Sequence, residues 1–203
     1  MSLRVSILVF DAVEALDFAG PYEVFTTASR VHGRNHPGAA PLFDVTCVAR
    51  DLLPVQARAG LRILPRHSFA DSPPCELLIV PGGVVDGATT CPRTLDWIAR
   101  TAQQAQITAS VCTGAFLLAA SGVLTSETVT THWEDVADLR ARFPGLTVRE
   151  GPRWVDAGPV LTSAGISAGM DMCLYLVARL AGQVLAERTA RQMDYAWRAT
   201  DPA

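Results

Sequence analysis

Lysine is absent from this chain: all 17 basic residues are arginine, scattered without a run among 20 acidic ones. A net charge of -3 and no basic cluster argue against a nucleic-acid surface. Long apolar runs are missing as well, none approaching the roughly 18 to 20 residues that cross a bilayer. The opening "MSLRVSILVFDAVEALD" meets Asp11 too early for a signal-peptide core and reads as a first strand. Together these absences set the expectation of a cytoplasmic protein with no membrane or nucleic-acid partner. The five cysteines, Cys47, Cys75, Cys91, Cys112 and Cys173, lack CxxC spacing and are odd in number. Neither a disulfide framework nor a metal site is expected, and at least one thiol should be free.

What is present is an ordinary globular composition, 49% hydrophobic and 18% charged over 203 residues, which fits a single domain spanning 1–203. Strand-like runs alternate with helix-like ones. "RVSILVF", "FDVTCVA", "LRILP", "ELLIVPGG" and "ITASVC" interleave with "PYEVFTTASRVHG" and "PRTLDWIARTAQQA". Alternation of this kind predicts parallel strands joined by crossover helices. Several strands are apolar throughout, as a sheet covered on both faces requires. The expected fold is therefore α/β, a doubly wound, mostly parallel sheet with helices on both faces. In the helix from about Pro92, Leu95, Ile98, Ala99 and Ala102 recur at helical spacing and read as core. Later stretches, "EDVADLRARFPG" and "SAGMDMCLYLVARLAG", read as helices, the second ending at Gly182. "LTVRE", "RWVDAG" and "VLTSAG" read as short strands between them. The loops at 32–41 and 71–75 mark no domain boundary.

Cys112 sits where the strand Ile107 to Val111 turns through Thr113 and Gly114 into a helix, the layout of a nucleophile elbow. The strict G-x-nucleophile-x-G pattern fails at Ser110. On such a corner the side chain reaches the carboxyl end of the sheet, where open α/β folds bind ligands. A helix N-terminus nearby is expected to lower the thiol pKa below roughly 8.5. Burial as a small hydrophobe explains Cys47, Cys75 and Cys173 better.

Asp17 is expected in the loop after the first strand, ahead of a helix opened by Gly20 and Pro21. There its carboxylate could exchange a proton with a thiol or its adduct, or merely cap the helix. Gly82 and Gly83 end another strand in "LLIVPGG", and their backbone N–H groups, with that of Thr113, could form an oxyanion-type hole. His132 in "TVTTHWED" could titrate near the thiol or serve structure alone. His32, His36 and His67 read as loop or surface residues. Trp133, Val84 and the neighbourhood of Phe18 are expected to line the pocket.

The segments "LDFAGPYEVF", "PGG", "SVCTGAFLLAASGVL", "TTHWED" and "LTSAGISAGMD", in this order, resemble the DJ-1/PfpI superfamily over nearly the whole chain. Asp17 with Cys112-Thr113 resembles its isonitrile (isocyanide) hydratase branch and the amino-terminal ligand-sensing domains of AraC-type regulators. PfpI-type proteases have His where Thr113 stands, and glyoxalase or deglycase branches have Glu where Asp17 stands. The resemblance implies a flavodoxin-like, class I glutamine amidotransferase-like sandwich, usually a homodimer, acting on a small-molecule substrate without metal or organic cofactor. Cys112 would be the nucleophile, Asp17 the proton-transfer group and Thr113 a support. A sensor with Cys112 as a ligand contact or an oxidisable thiol is the rival reading. AraC-type regulators continue into a helix-turn-helix pair, for which "ERTARQMDYAWRATDPA" leaves too few residues.

Overall fold

The computed structural model describes residues 2–199. In chain order the strands are β1 (Leu3–Leu8), β2 (Phe43–Ala49), β3 (Val55–Gln56), β4 (Arg62–Ile63), β5 (His67–Ser68), β6 (Leu77–Val80), β7 (Ile107–Val111), β8 (Thr128–Val129), β9 (Thr147–Val148), β10 (Trp154–Asp156) and β11 (Val160–Ser163). The helices are α1 (Ala15–Asn35), α2 (Asp86–Thr89), α3 (Pro92–Gln104), α4 (Gly114–Ala120), α5 (Val136–Arg142), α6 (Ser167–Ala181) and α7 (Gln183–Gln192). A 3-10 turn, Trp133–Asp135, leads into α5.

Seven strands form the main sheet in the order β10-β11-β7-β6-β1-β2-β5, all parallel except the edge strand β10. The strand order reverses at β1: β2 and β5 lie to one side of it, β6 and β7 to the other. Ligands of open α/β sheets bind at such a switch, beyond the strands' carboxyl ends.

Successive side chains leave a strand on opposite faces, and here both faces are apolar. Val5, Ile7, Leu77, Ile79 and Val111 pack with Phe25 of α1, Met172 and Leu176 of α6, and Ala186 of α7. Leu8, Leu78 and Val80 pack the other way, against Trp97 and Ile98 of α3, Leu117 and Leu118 of α4, and Leu139 of α5. Full burial of each Leu or Ile contributes about 1.5–3 kcal/mol, so these two layers hold the sheet between its helices.

The structure corrects three expectations. Helix α1 begins at Ala15, capped by Glu14, so Asp17 lies in its first turn and not in the preceding loop. Gly20 and Pro21 are inside the helix. Gly20 permits close packing, since a Cβ there would stand 3.0 Å from Met170 Cγ on α6. The run "LRILP" contributes only β4, which pairs with β3 outside the main sheet and leaves Leu61 and Leu64 exposed. On α3 the buried stripe is Thr94, Trp97 and Ile98, with Leu95 and Ala102 at its margin, because Trp97 stacks on Phe69 at 4.7 Å. Among the described residues no helix is long and apolar enough to cross a membrane.

Candidate active site

Strand β7 delivers Cys112 to the carboxyl edge of the sheet between β6 and β11. The residue adopts φ 56°, a left-handed conformation that costs a non-glycine residue about 1–2 kcal/mol. Fixed contacts hold it there. Its N–H donates to Ser163 O at 3.1 Å, and Thr131 Oγ1 donates to its carbonyl at 2.9 Å. The elbow forms without a glycine at 110: Ser110 is fully buried within β7 and paired with Thr162 of β11.

The end of β6 explains "PGG". A Cβ on Gly82 would lie 2.5 Å from Thr113 Oγ1 and 3.0 Å from Asp17 Oδ2, so only glycine lets this strand end against both residues. The Gly82 N–H donates to Asp17 Oδ2 at 3.2 Å. The Gly83 N–H donates to Thr113 Oγ1 at 2.9 Å, and that hydroxyl lies at the same distance from Gly83 O as its donor. Both glycine N–H groups are therefore engaged by side chains. They position Asp17 and Thr113 and do not form the oxyanion hole expected of them. The backbone N–H groups of Thr113 and Ile166 are the ones that approach the Cys112 sulfur.

Asp17 is completely buried, and its second oxygen, Oδ1, has no well-formed hydrogen bond. Burial raises its pKa from 3.8 to about 7; the Gly82 N–H opposes the shift and Glu14 adds to it. The Cys112 thiol is near enough to act as a weak donor to this carboxyl. Cys112 itself is pushed up to about 12, first by burial and then by the Asp17 charge, with the N–H groups of Thr113 and Ile166 opposing. The expected depression of the thiol pKa is thus reversed. Helix α4 is only seven residues long, and its N-terminus is outweighed by desolvation and a neighbouring carboxylate.

A cavity of about 390 Å³ opens in front of the sulfur. Cys112, Thr113, Gly83 and Ile166 line it, and His132 forms part of its wall. His132 caps the 3-10 turn, its Nδ1 accepting the Glu134 N–H at 3.4 Å, and its ring lies against Gly165. Val84 lines the cavity as expected, and Glu14 does so from the neighbourhood of the buried Phe18, whereas Trp133 is 69% exposed and does not. His32 lies within α1, stacked on His36, and His67 belongs to β5.

Sequence reasoning missed Ile166, Glu14 and Arg58. Ile166 takes φ 38°, a conformation that a β-branched residue avoids, so its residue type carried no signal. Glu14 accepts from the Ala15 N–H at 3.2 Å and pairs with Arg58 at 3.6 Å. Glu is not a preferred N-cap residue, so nothing local set the helix start at Glu14 against the later Gly-Pro. Among the described residues no cluster of three or more His, Cys, Asp or Glu is placed to hold a metal ion.

Relatives share this arrangement of chain. The sequence is 35% identical over 197 residues to the isonitrile hydratase of Pseudomonas putida, covering 97% of this chain and 80% of that one. It is 27% identical to the HTH-type transcriptional regulator GbdR of Pseudomonas aeruginosa, 94% of this chain matching 50% of the regulator. It thus spans about half of that protein. A THiJ/PfpI family protein from Pseudomonas syringae superposes with a TM-score of 0.84 at 30% identity, over 97% of this chain and 76% of the other. Drosophila melanogaster DJ-1beta shares the fold, with a TM-score of 0.80 at 18% identity over 97% and 100% of the two chains. Residues 3–179 match the DJ-1/PfpI family, and the chain belongs to it.

Proposed function

We propose that this protein is a cysteine-dependent hydro-lyase that adds water to an isonitrile and releases an N-substituted formamide. The observation that carries this reading is the pairing of Cys112, held on a left-handed corner, with a buried Asp17 whose pKa is brought to about 7. The 35% identity to an isonitrile hydratase supports it.

With the thiol raised to about 12, the nucleophile is not a resting thiolate. Asp17 takes the thiol proton as sulfur attacks the terminal carbon of R–NC. It then returns that proton to the same carbon, giving the thioimidate R–N=CH–S–Cys112. Water, deprotonated by the Asp17 carboxylate, adds to this carbon. The C–S bond breaks as the nitrogen and the sulfur recover protons, leaving R–NH–CHO and the free thiol. One water is consumed and no electrons are transferred. An isonitrile suits such a site because its carbon accepts both the nucleophile and the proton.

The N–H groups of Thr113 and Ile166 stabilise charge developing on sulfur. Thr113 Oγ1 and the N–H groups of Gly82 and Gly83 keep the acid and the elbow in register. His132 shapes the wall and fixes the turn that carries its neighbours. The working assembly in this proposal is a homodimer, which sedimentation equilibrium tests.

The test is incubation of purified protein with isonitriles, following formamide by NMR, with Cys112→Ser as control. Formamide from wild type alone supports the reading; equal turnover by the variant overturns it. The regulator relatives favour a second reading, in which Cys112 contacts a sensed ligand without turning it over. Oxidation sensing is the weaker form of it, because oxidation follows thiolate character and this thiol is held protonated.

A further inference from the structure

Ile166 is held in a conformation it would not choose. Its φ of 38° and ψ of -83° are foreign to a β-branched residue, and such strain persists only where the surrounding structure over-determines it. The segment that carries it, Ala164 to Ser167, joins β11 to α6 and runs along the site. The Ala164 carbonyl accepts from the Cys112 N–H at 3.3 Å, and the Ile166 N–H approaches the Cys112 sulfur. Arg153, just before β10 and outside the cavity, grips both ends of this segment. Its carbonyl accepts from the Ala164 N–H at 2.8 Å, and its Nη2 donates to Ser167 Oγ at 3.3 Å. Its Nε pairs with Asp171, one turn further along α6, at 2.5 Å. Asp171 is fully buried, and its other oxygen accepts the Arg198 N–H at 3.0 Å. On the inner side the first turn of α6 rests on the residue before the nucleophile: a Cβ on Gly169 would lie 2.6 Å from Val111 Cγ1. A shift at the start of α6 therefore reaches the corner that holds Cys112.

We propose that Arg153, through its side-chain hold on Ser167 and Asp171, is the positioning residue that keeps the strained Ile166 N–H on the Cys112 sulfur. Arg153 touches no reacting atom and acts through Ile166. The fork of a guanidinium suits the task, since Nε and Nη2 serve two partners in fixed directions, whereas the ammonium of a lysine is a point charge. Without the fork the segment relaxes, the N–H turns from the sulfur, and the charge that develops there during attack loses a donor. The proposal rests on the reading of Cys112 as the attacking group but not on the isonitrile chemistry.

Arg153→Lys keeps the charge, removes the fork and tests this in two arms. The first reads the chemical shift and hydrogen exchange of the Ile166 amide by NMR, with Cys112→Ala marking the state without the sulfur. Wild type is expected to protect this amide about tenfold more than Cys112→Ala does. Arg153→Lys should lose most of that difference while the amides of Ile7 and Leu78, in the central strands, keep their protection. An Ile166 amide that behaves as in wild type overturns the proposal. Should Arg153→Lys fail to fold or lose protection evenly, Ser167→Ala decides by the same readout, because it removes only a hydroxyl at an exposed position. A smaller loss confined to Ile166 supports the proposal, and none overturns it. The second arm separates kcat from KM in isonitrile hydration. Arg153→Lys is expected to lower kcat by about 10- to 100-fold with KM within about twofold, and a loss that falls on KM alone contradicts the proposal. If wild type turns over no isonitrile while the Ile166 amide responds as expected, the hydratase reading fails and the positioning role stands.

Discussion

Two cysteines of this chain stand at helix N-termini and fare in opposite ways. Cys91 is the residue before α3, a thirteen-residue helix, and its thiol pKa is lowered by the Thr94 hydroxyl and nearby backbone N–H groups. Cys112 precedes the short α4, and its thiol is pushed up to about 12. Cys91 is half-buried and has no carboxylate beside it among the causes of its shift, whereas Cys112 is buried against Asp17. A helix N-terminus acts on whatever group it meets, but desolvation and a neighbouring charge decide the sign of the shift. The acidic thiol is therefore the one outside the candidate site. Within the site burial and then the Asp17 charge raise the thiol's cost of ionisation, while the Cys112 thiol, as a donor, eases that of Asp17.

The sharpest way to break this contrast is to remove each sulfur in turn. Cys112→Ala is expected to abolish isonitrile turnover, measured as formamide formed, while Cys91→Ser leaves the rate of wild type. Next in size is Asp17→Asn, which keeps the shape but not the proton acceptor. It should lower kcat by about 10²- to 10⁴-fold and remove the rise in kcat/KM expected of the wild type as pH passes about 7.

The same substitution has a stability consequence. Burial keeps Asp17 neutral up to about 7, while an unfolded chain ionises it near 3.8. The folded protein binds the extra proton between those values and loses stability as pH rises through them. Asp17→Asn has no such loss. Its stability relative to wild type should rise by roughly 2–4 kcal/mol between about pH 4 and pH 8, read from urea midpoints.

Much of this was legible in the residues. A β-branched strand running into Cys112, Thr113 and Gly114 announces an elbow, and "PGG" announces a strand end that something approaches closely. The order of apolar strands gave the covered parallel sheet. What the residues do not mark has physical causes. Gly20-Pro21 looked like a helix start because both residues are poor in helix interiors, yet Gly20 serves the contact with Met170. "LRILP" has strand composition, but its neighbours tie it into a small hairpin off the sheet. Ile166 carries no local mark, since its role comes from its backbone N–H. The sign of the Cys112 shift depends on burial and on a carboxylate 95 positions away, neither of which local pattern encodes.

A smaller effect is expected from the backbone. Gly82→Ala places a Cβ 2.5 Å from Thr113 Oγ1 and 3.0 Å from Asp17 Oδ2. It should destabilise the fold by about 1–3 kcal/mol and slow turnover, without changing the labelling of Cys91.

Burial, and after it the Asp17 carboxylate, hold Cys112 protonated. The most direct measurement is the pH dependence of iodoacetamide alkylation of Cys112, followed by peptide mass spectrometry in wild type and Asp17→Asn. The wild-type midpoint is expected far above the ordinary thiol value, towards about 12, and the variant's lower. A wild-type midpoint below that of a free cysteine, or one that Asp17→Asn leaves unmoved, would contradict it.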